Sequence, residues 1–446
     1  MKGRDDMWIR FCGPLARLVL GLILLSPYSL SASKSSDDLR AAVLNTLVRE
    51  LERNASQLRI DDYQAPYFIA YRLNQQRTLS VAARFGAPLE NDASRRHRIA
   101  VDVRVGDYAF DSSPQPEDDL FIEPEGFTPS FEAPLNADED ALRATLWLLT
   151  DQAYKEALGT FLRKKARKVT KVQKAQVDSF SQEAPLKRQT PPLVLPDNRK
   201  DWLILAEKLS AKFKTEDGFL EGEASISAGH TVTSLVTSEG TRAIKERVLY
   251  ALSVNAAVRG PDGLLLEQSK TIYGRQFDEL PSEEALLDLT NQIILDLRAL
   301  QKASVADPYT GPAILEPEAA GVFFHETLGH RLEGERQNDE NEGQTFKGQL
   351  GTEILPAFIS VWDDPTLRSL NGLSLNGYYP FDDQGVLAQK ATLVERGVLK
   401  GFLKSRTPIE DAPRSNGHGR AQGANRPMAR MGNLVIEGHR PVTDKR

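Results

Sequence analysis

The feature that most limits what this chain can fold into is the spacing of two histidines. His325 and His330 stand five positions apart, with Glu326 between them, in the apolar segment 317–335 (PEAAGVFFHETLGHRLEGE). A His-Glu pair followed by a second His is the pattern of zinc hydrolases, which more often space the histidines four apart on one helix face. On a regular helix, positions i and i+4 lie about 40° apart around the axis, and positions i and i+5 about 140°. A regular helix therefore cannot aim both imidazoles at one ion. Either the helix is distorted between them, or Phe323, Phe324 and Leu328 are core and the histidines are hydrogen-bonded inside it. Gly329, directly before His330, is the residue type expected to permit a distortion. With six histidines in the chain, coincidence supplies roughly 0.006 such matches.

A chain of 446 residues is long enough for two or three domains. Its composition, 40% hydrophobic and 26% charged, is that of a globular protein, and its net charge of −6 does not suggest nucleic acid as a main partner. The N-terminus has the pattern of a secretory signal over residues 1–33. Lys2, Arg4, Arg10 and Arg17 precede or flank a short apolar run, Leu18–Leu25, and small residues follow at Ser29–Ser33. An uncleaved anchor is the alternative. No other apolar run approaches membrane length, so no span is expected after cleavage, and a periplasmic or secreted location is. Cys12, the single cysteine, lies ahead of the apolar run, so the processed chain is expected to have no thiol ligand and no disulfide.

The remaining pattern is that of an α+β protein. Residues 34–180 are expected to form an N-terminal helix and antiparallel-sheet domain, and 181–218 a linker and helix. Residues 219–446 are expected to form a larger β-rich domain carrying the HExxxH helix. An i, i+4 apolar stripe over 36–59 (Leu39, Val43, Leu47, Leu51) marks the first helix. Strands are expected at 66–73, 79–85 and 97–105, then a Pro- and acid-rich loop over 112–134 and a long helix over 138–174. The basic run of that helix (Arg163, Lys164, Lys165, Arg167, Lys168, Lys171, Lys174) is expected to be a solvated face, with binding of an anionic surface or acidic peptide as the alternative. Another helix spans 197–213. Four β-runs between 220 and 273 are separated by turn signals at 238–240 and 260–263, and a helix capped by Ser282 follows. A short strand is expected at 312–315, a mobile flap at 336–351 and strands at 354–362, 387–394, 398–403 and 434–437. His97 is expected to be solvated on its strand, and His230 to be structural.

If His325 and His330 bind zinc, a third protein ligand and a water complete the site, and Glu326 is placed to act as general base in amide hydrolysis. The segment 317–335 resembles the HExxxH region of the TldD/PmbA metallopeptidase family. Thr237–Thr241 (TSEGT), Asp363-Asp364, Phe381–Gly385 (FDDQG), 393–403 (LVERGVLKGFL), and the Gly417–Arg420 loop followed by Pro427–Met431 fall in that family's order. The resemblance is strong from about residue 197 onward and weaker over 36–175. It implies a two-part α+β architecture and a zinc-dependent peptidase acting on linear or unfolded peptides. It also implies a homodimer or a heterodimer with a homologue, zinc on His325 and His330, and Glu326 as base.

In one respect the sequence departs from that family, whose third ligand is a cysteine near the C-terminus. The chain is therefore expected to lack the family's C-terminal segment. Glu333 is the first choice as substitute ligand, ahead of Glu335 and the more distant His418, and a structural carboxylate pairing Arg331 or Arg336 is the alternative for Glu333. The corresponding alternative for the whole protein is a non-catalytic homologue serving as a binding or partner subunit, with the zinc site lost.

Overall fold

The computed structural model describes residues 36–113, 130–135, 138–170, 177–338, 343–410 and 412–439. The expected signal segment with Cys12 and part of the 112–134 loop lie outside these residues. Helix α1 (Ser36–Gln57) leads into two long strands, β1 (Pro66–Arg84) and β2 (Ala87–Val105), and then the short β3 (Ser130–Glu132). Helix α2 (Glu139–Thr170), β4 (Lys187–Gln189), α3 (Arg199–Lys214), β5 (Phe219–Thr237), β6 (Arg242–Arg259) and β7 (Leu265–Gly274) follow. The strands form one seven-stranded sheet in the order β3-β2-β1-β5-β6-β4, with β7 also on β6, and every pair is antiparallel except β4–β6.

The two strands expected at 66–73 and 79–85 are one. The polar stretch Asn74–Thr78 looks like an interruption, yet it stays paired on both sides, for example Gln76 with Arg96 and with Thr231. The reason lies in the helices. Ile69, Tyr71 and Leu73 pack under α1 and α2, whereas Leu79, Val81 and Ala83, of the same pleat parity, pack under α3 and helix α4 (Glu283–Lys302). Between the helix pairs no apolar side chain is needed. Arg77 there donates to the Leu195 carbonyl instead, at 2.9 Å.

The sheet also corrects the expected domain boundaries. β1 pairs with β5 from Ala70–Thr237 to Arg84–Glu223, so the region 34–180 shares one sheet with the first strands of 219–446. Close backbone packing supports this half: a Cβ on Gly222 would stand 2.3 Å from Phe213 Cβ. The basic face of α2 is not wholly solvated either. Lys164 is buried and donates to the carbonyls of Asp111 (2.8 Å) and Ser113 (3.0 Å). His97 is partly buried, with Nδ1 2.9 Å from the Pro134 carbonyl. His230 has the structural contact expected of it, with Nε2 2.8 Å from Glu246 Oε2.

Helix α4 begins as its residues dictate, with Ser282 Oγ accepting from Ala285 N. The chain then runs extended and exposed to α5 (Pro317–Phe324), and no strand forms at 312–315, where Ile314 is 94% exposed. Beyond the histidines, β8 (Ile359–Asp363) joins a second, four-stranded sheet with β11 (Ala391–Glu395), β12 (Val398–Leu399) and β15 (Leu434–Gly438), in the order β12-β11-β8-β15. Two minor pairs complete the set: β9 (Ser369–Leu370) with β10 (Leu373–Ser374), and β13 (Gly419–Arg420) with β14 (Met428–Ala429). Leu328 and Leu332 from the histidine segment enter the core of this sheet with Leu393, Leu403 and Met431.

Several of the motifs that carry the family resemblance join the two sheets. Buried Arg406 holds both carboxylate oxygens of Glu239, each at 2.7 Å, and stacks on Phe180. Lys245 on β6 pairs with Asp383 at 2.8 Å. Burial raises the Asp382 carboxyl to about 6. Burial also pushes Asp383 upward, but the charges of Lys245 and Arg72 outweigh it and hold that carboxyl down at about 2.

Candidate metal centre

Helix α5 is regular only as far as Phe324. Pro317 occupies its first turn, where a missing N–H costs nothing. From His325 to Gly329 the backbone forms a single π turn, and His330 N donates to His325 O, five residues back. A π turn, wider than an α turn and closed by an i→i+5 hydrogen bond, brings residues i and i+5 to the same side of the helix. The two imidazoles therefore meet, with ring centroids 4.6 Å apart and planes at 79°. Short 3₁₀ turns at His330–Leu332 and Gly334–Gln337 then carry the chain into the second sheet.

The expected distortion is present, but Gly329 contributes to it differently from expectation. Its φ of −56° and ψ of −53° are ordinary right-handed values open to any residue. What the position requires is space: a Cβ on Gly329 would stand 2.3 Å from Met431 Sδ and 3.2 Å from a Leu434 methyl. The glycine lets the turn lie against the strand that carries Leu434.

Glu326 lies between the rings, with one oxygen 3.8 Å from His325 Nε2 and the other 3.9 Å from His330 Nε2. Ligand atoms of the three side chains all fall within 4.8 Å of one another. That is the scale of one ion bound at about 2.0–2.2 Å by nitrogen and oxygen. His325 is half exposed and His330 about one-quarter exposed, so the rings are not enclosed in a core, although His330 keeps a hydrogen-bond contact to the buried Glu333. A cavity of about 320 Å³, lined by Glu326, His330, Arg331, Gln337 and Thr345 among others, opens beside them. Part of the expected flap borders it: Arg331 donates to Thr345 Oγ1 at 3.0 Å, and Gln344 to the Gln337 carbonyl at 3.0 Å. The rest of that flap, 339–342, lies outside the described residues.

None of the three substitute ligands joins the cluster. Glu333, the first choice, is 1% exposed and turned inward. Its oxygens accept from Arg336 Nε at 2.9 Å and from Arg430 Nη1 at 2.9 and 3.0 Å, and Oε1 lies 2.9 Å from His330 Nδ1, on the ring edge away from Glu326. With both oxygens taken by guanidinium groups, Glu333 is not a ligand to an ion at Nε2. Glu335 is buried against Ser405 and the Ala429 amide, and burial pushes its carboxyl upward. His418 is fully buried, bonded to Asp363 and Asn416. Arg430 is the residue that sequence reasoning missed. Its only signal was its place in the Pro427–Met431 motif, a hundred positions from His330.

The donor set suits zinc: two imidazole nitrogens whose Nε2 edges make no hydrogen bond among the described residues, and an adjacent carboxylate. Comparison with known proteins agrees. Residues 308–445 match the PmbA/TldA metallopeptidase C-terminal domain. A metalloprotease of Methanocaldococcus jannaschii is 32% identical over 206 residues, 45% of this chain and 42% of the relative. A zinc metalloprotease TldD homolog of Saccharolobus solfataricus is 28% identical over 173 residues, 38% of this chain and 36% of the relative. The chain thus matches less than half the length of these curated relatives. In fold, it is similar to TldE from Thermococcus kodakarensis, with a TM-score of 0.56 at 15% identity, covering 89% of this chain and 77% of that one. The HExxxH segment, the domain match over residues 308–445 and the similarity to these metalloproteases together support membership of the TldD/PmbA metallopeptidase family.

Proposed function

We propose that this protein is a zinc-dependent metallopeptidase that hydrolyses linear or unfolded peptides outside the cytoplasm. The observation that supports it most is the π turn that brings His325 and His330 together with Glu326 between them. His325 and His330 would hold zinc, which when bound would supply an acidified water and polarise a carbonyl. Glu326 accepts the proton of the attacking water and returns it to the leaving amine. The adjoining open cavity offers room for an extended peptide beside the cluster. Export is proposed from the N-terminal basic, apolar and small-residue pattern alone.

Association with a second polypeptide, a second copy or a homologue, is proposed from uncovered apolar side chains on and before α5. Val305 is 90%, Ile314 94% and Val322 64% exposed. Sedimentation velocity on the purified chain tests this, and a monomer at micromolar concentration counts against a homodimer.

One observation favours the alternative of a non-catalytic partner subunit. Among the described residues, no side chain beyond His325, Glu326 and His330 comes near enough to complete the ligand set. Metal analysis separates the readings. About one zinc per chain, removed by chelator with loss of cleavage of an unfolded peptide and restored with zinc, supports the peptidase. A chain that stays metal-free in excess zinc supports the subunit.

A further inference from the structure

We propose that Glu333 is a positioning residue for His330. It would fix the ring as the Nδ1–H tautomer so that the Nε2 lone pair points toward Glu326 and the ion, and Arg430 would hold Glu333 in place for that task. The role in metal binding rests on the metallopeptidase reading; the tautomer assignment does not.

A carboxylate offers only acceptor oxygens. Glu333 is 1% exposed and presents Oε1 to His330 Nδ1 at 2.9 Å. Arg430 Nη1, itself only a donor, also lies 3.4 Å from this nitrogen, but the shorter contact to the carboxylate at 2.9 Å makes Nδ1 the donor, which leaves Nε2 of the neutral ring as a lone pair. Among the described residues, nothing on the Nε2 side competes within hydrogen-bond distance, since Glu326 Oε2 is 3.9 Å away. A metal-ligating histidine ordinarily donates its other N–H to a carboxylate or carbonyl, which sets ring orientation as well as tautomer.

The backbone of Glu333 is fixed independently of its side chain. Leu403 N donates to Leu332 O at 2.9 Å, and Gly334 N to Leu403 O at 2.8 Å, which pins both neighbours of Glu333 to the backbone of Leu403. Arg430, whose own N–H donates to the His418 carbonyl at 3.0 Å, bridges both oxygens of Glu333 and stands 3.4 Å from His330 Nδ1. Arg336 takes the other side of the carboxylate. The two guanidinium groups stop the carboxylate from rotating away, so the ring edge meets a stationary acceptor. One metal-ligand ring is thereby tied to a strand region a hundred residues further along the chain.

Two measurements test this. In metal-free protein with ¹⁵N-labelled histidine, two-bond ¹⁵N–¹H correlations at a pH where the ring is neutral should show His330 protonated on Nδ1. A proton on Nε2 overturns the proposal, whether or not the protein binds zinc. Zinc affinity is then read by chelator competition. Glu333→Ala should lose about 10- to 100-fold, and Glu333→Gln, which keeps an acceptor oxygen, should recover part of that. A purely structural role would lower the melting temperature of both variants and leave the affinity of the folded fraction unchanged, and that result overturns the proposal. Where Glu333→Ala does not fold, the wild-type tautomer and the zinc affinity of Glu333→Gln decide. Failure of wild-type protein to bind zinc overturns the metallopeptidase reading and leaves the tautomer measurement to judge this one.

Discussion

The seven-stranded sheet and the histidine segment solve opposite problems. The sheet repeats one local rule over strands of up to 19 residues, with alternate side chains buried under two helix pairs and every register step enforced by the next. The segment from α5 to Gln337 changes its winding twice, from α to π to 3₁₀. None of the eight residues of α5 is buried, whereas Leu328, Leu332 and Glu333 are. Repetition builds stability, and departure from repetition aims side chains. A π turn leaves backbone groups less regularly bonded than an α-helix, and here the second sheet and the Glu333 cluster hold it in place.

If the two regions do separate tasks, changes in one should leave the other's readout alone. The largest effect is expected at Glu326. Glu326→Gln should lower peptide cleavage by about 10²–10⁴-fold, while the melting curve and zinc content stay as in wild type. Equal loss of zinc would make Glu326 a ligand and not a base. Next comes the sheet. Phe213→Ala, on the face of α3 that packs against the sheet, should cost about 3–5 kcal/mol by denaturant titration, with zinc affinity of the folded chain unchanged. A parallel fall in affinity would show that the regions are coupled.

A smaller effect is expected from acid. Burial pushes the Asp111 carboxyl up, but Arg104 at 3.1 Å, with hydrogen bonds from Ser113 and Tyr67, outweighs it and holds the carboxyl at about 2. A carboxyl depressed in the folded state contributes stability above its unfolded value, and that contribution disappears as pH falls toward the folded one. Wild type should therefore lose about 2 kcal/mol between pH 4 and pH 2 through this group, and Asp111→Asn should lack that part of the acid limb. An identical limb in both proteins assigns the loss elsewhere.

The smallest effect is expected at Gly329, where the added methyl of Gly329→Ala meets the movable end of Met431. A cost of about 1 kcal/mol with weakened zinc binding would sharpen the contrast, because it would show the turn depending on packing and not on glycine's backbone freedom. Unchanged zinc binding would show that the π turn holds without that contact.

Much of the sheet was legible beforehand, for a local reason. Alternation at Ile99, Val101 and Val103, the stripe along α1 and the Ser282 cap each act between residues close in sequence. What misled was also local. Asn74–Thr78 reads as a break because polarity usually marks a turn, but the gap between two helix pairs tolerates polar side chains without breaking the ladder. Lys164 reads as solvated because lysine usually is, and only the carbonyls of Asp111 and Ser113, some fifty residues away, make it a buried donor.

From the sequence alone came the α+β class, the pairing of His325 and His330 with Glu326, and the requirement that the helix between the histidines be irregular, since five residues of regular winding cannot align two rings. Tertiary structure decided the form of that irregularity, what Gly329 makes room for, and that Glu333 faces Arg430 and the far edge of His330 instead of an ion. Those contacts join positions about a hundred residues apart, and no periodicity or spacing along a chain encodes which distant side chain will fill the space beside a given ring.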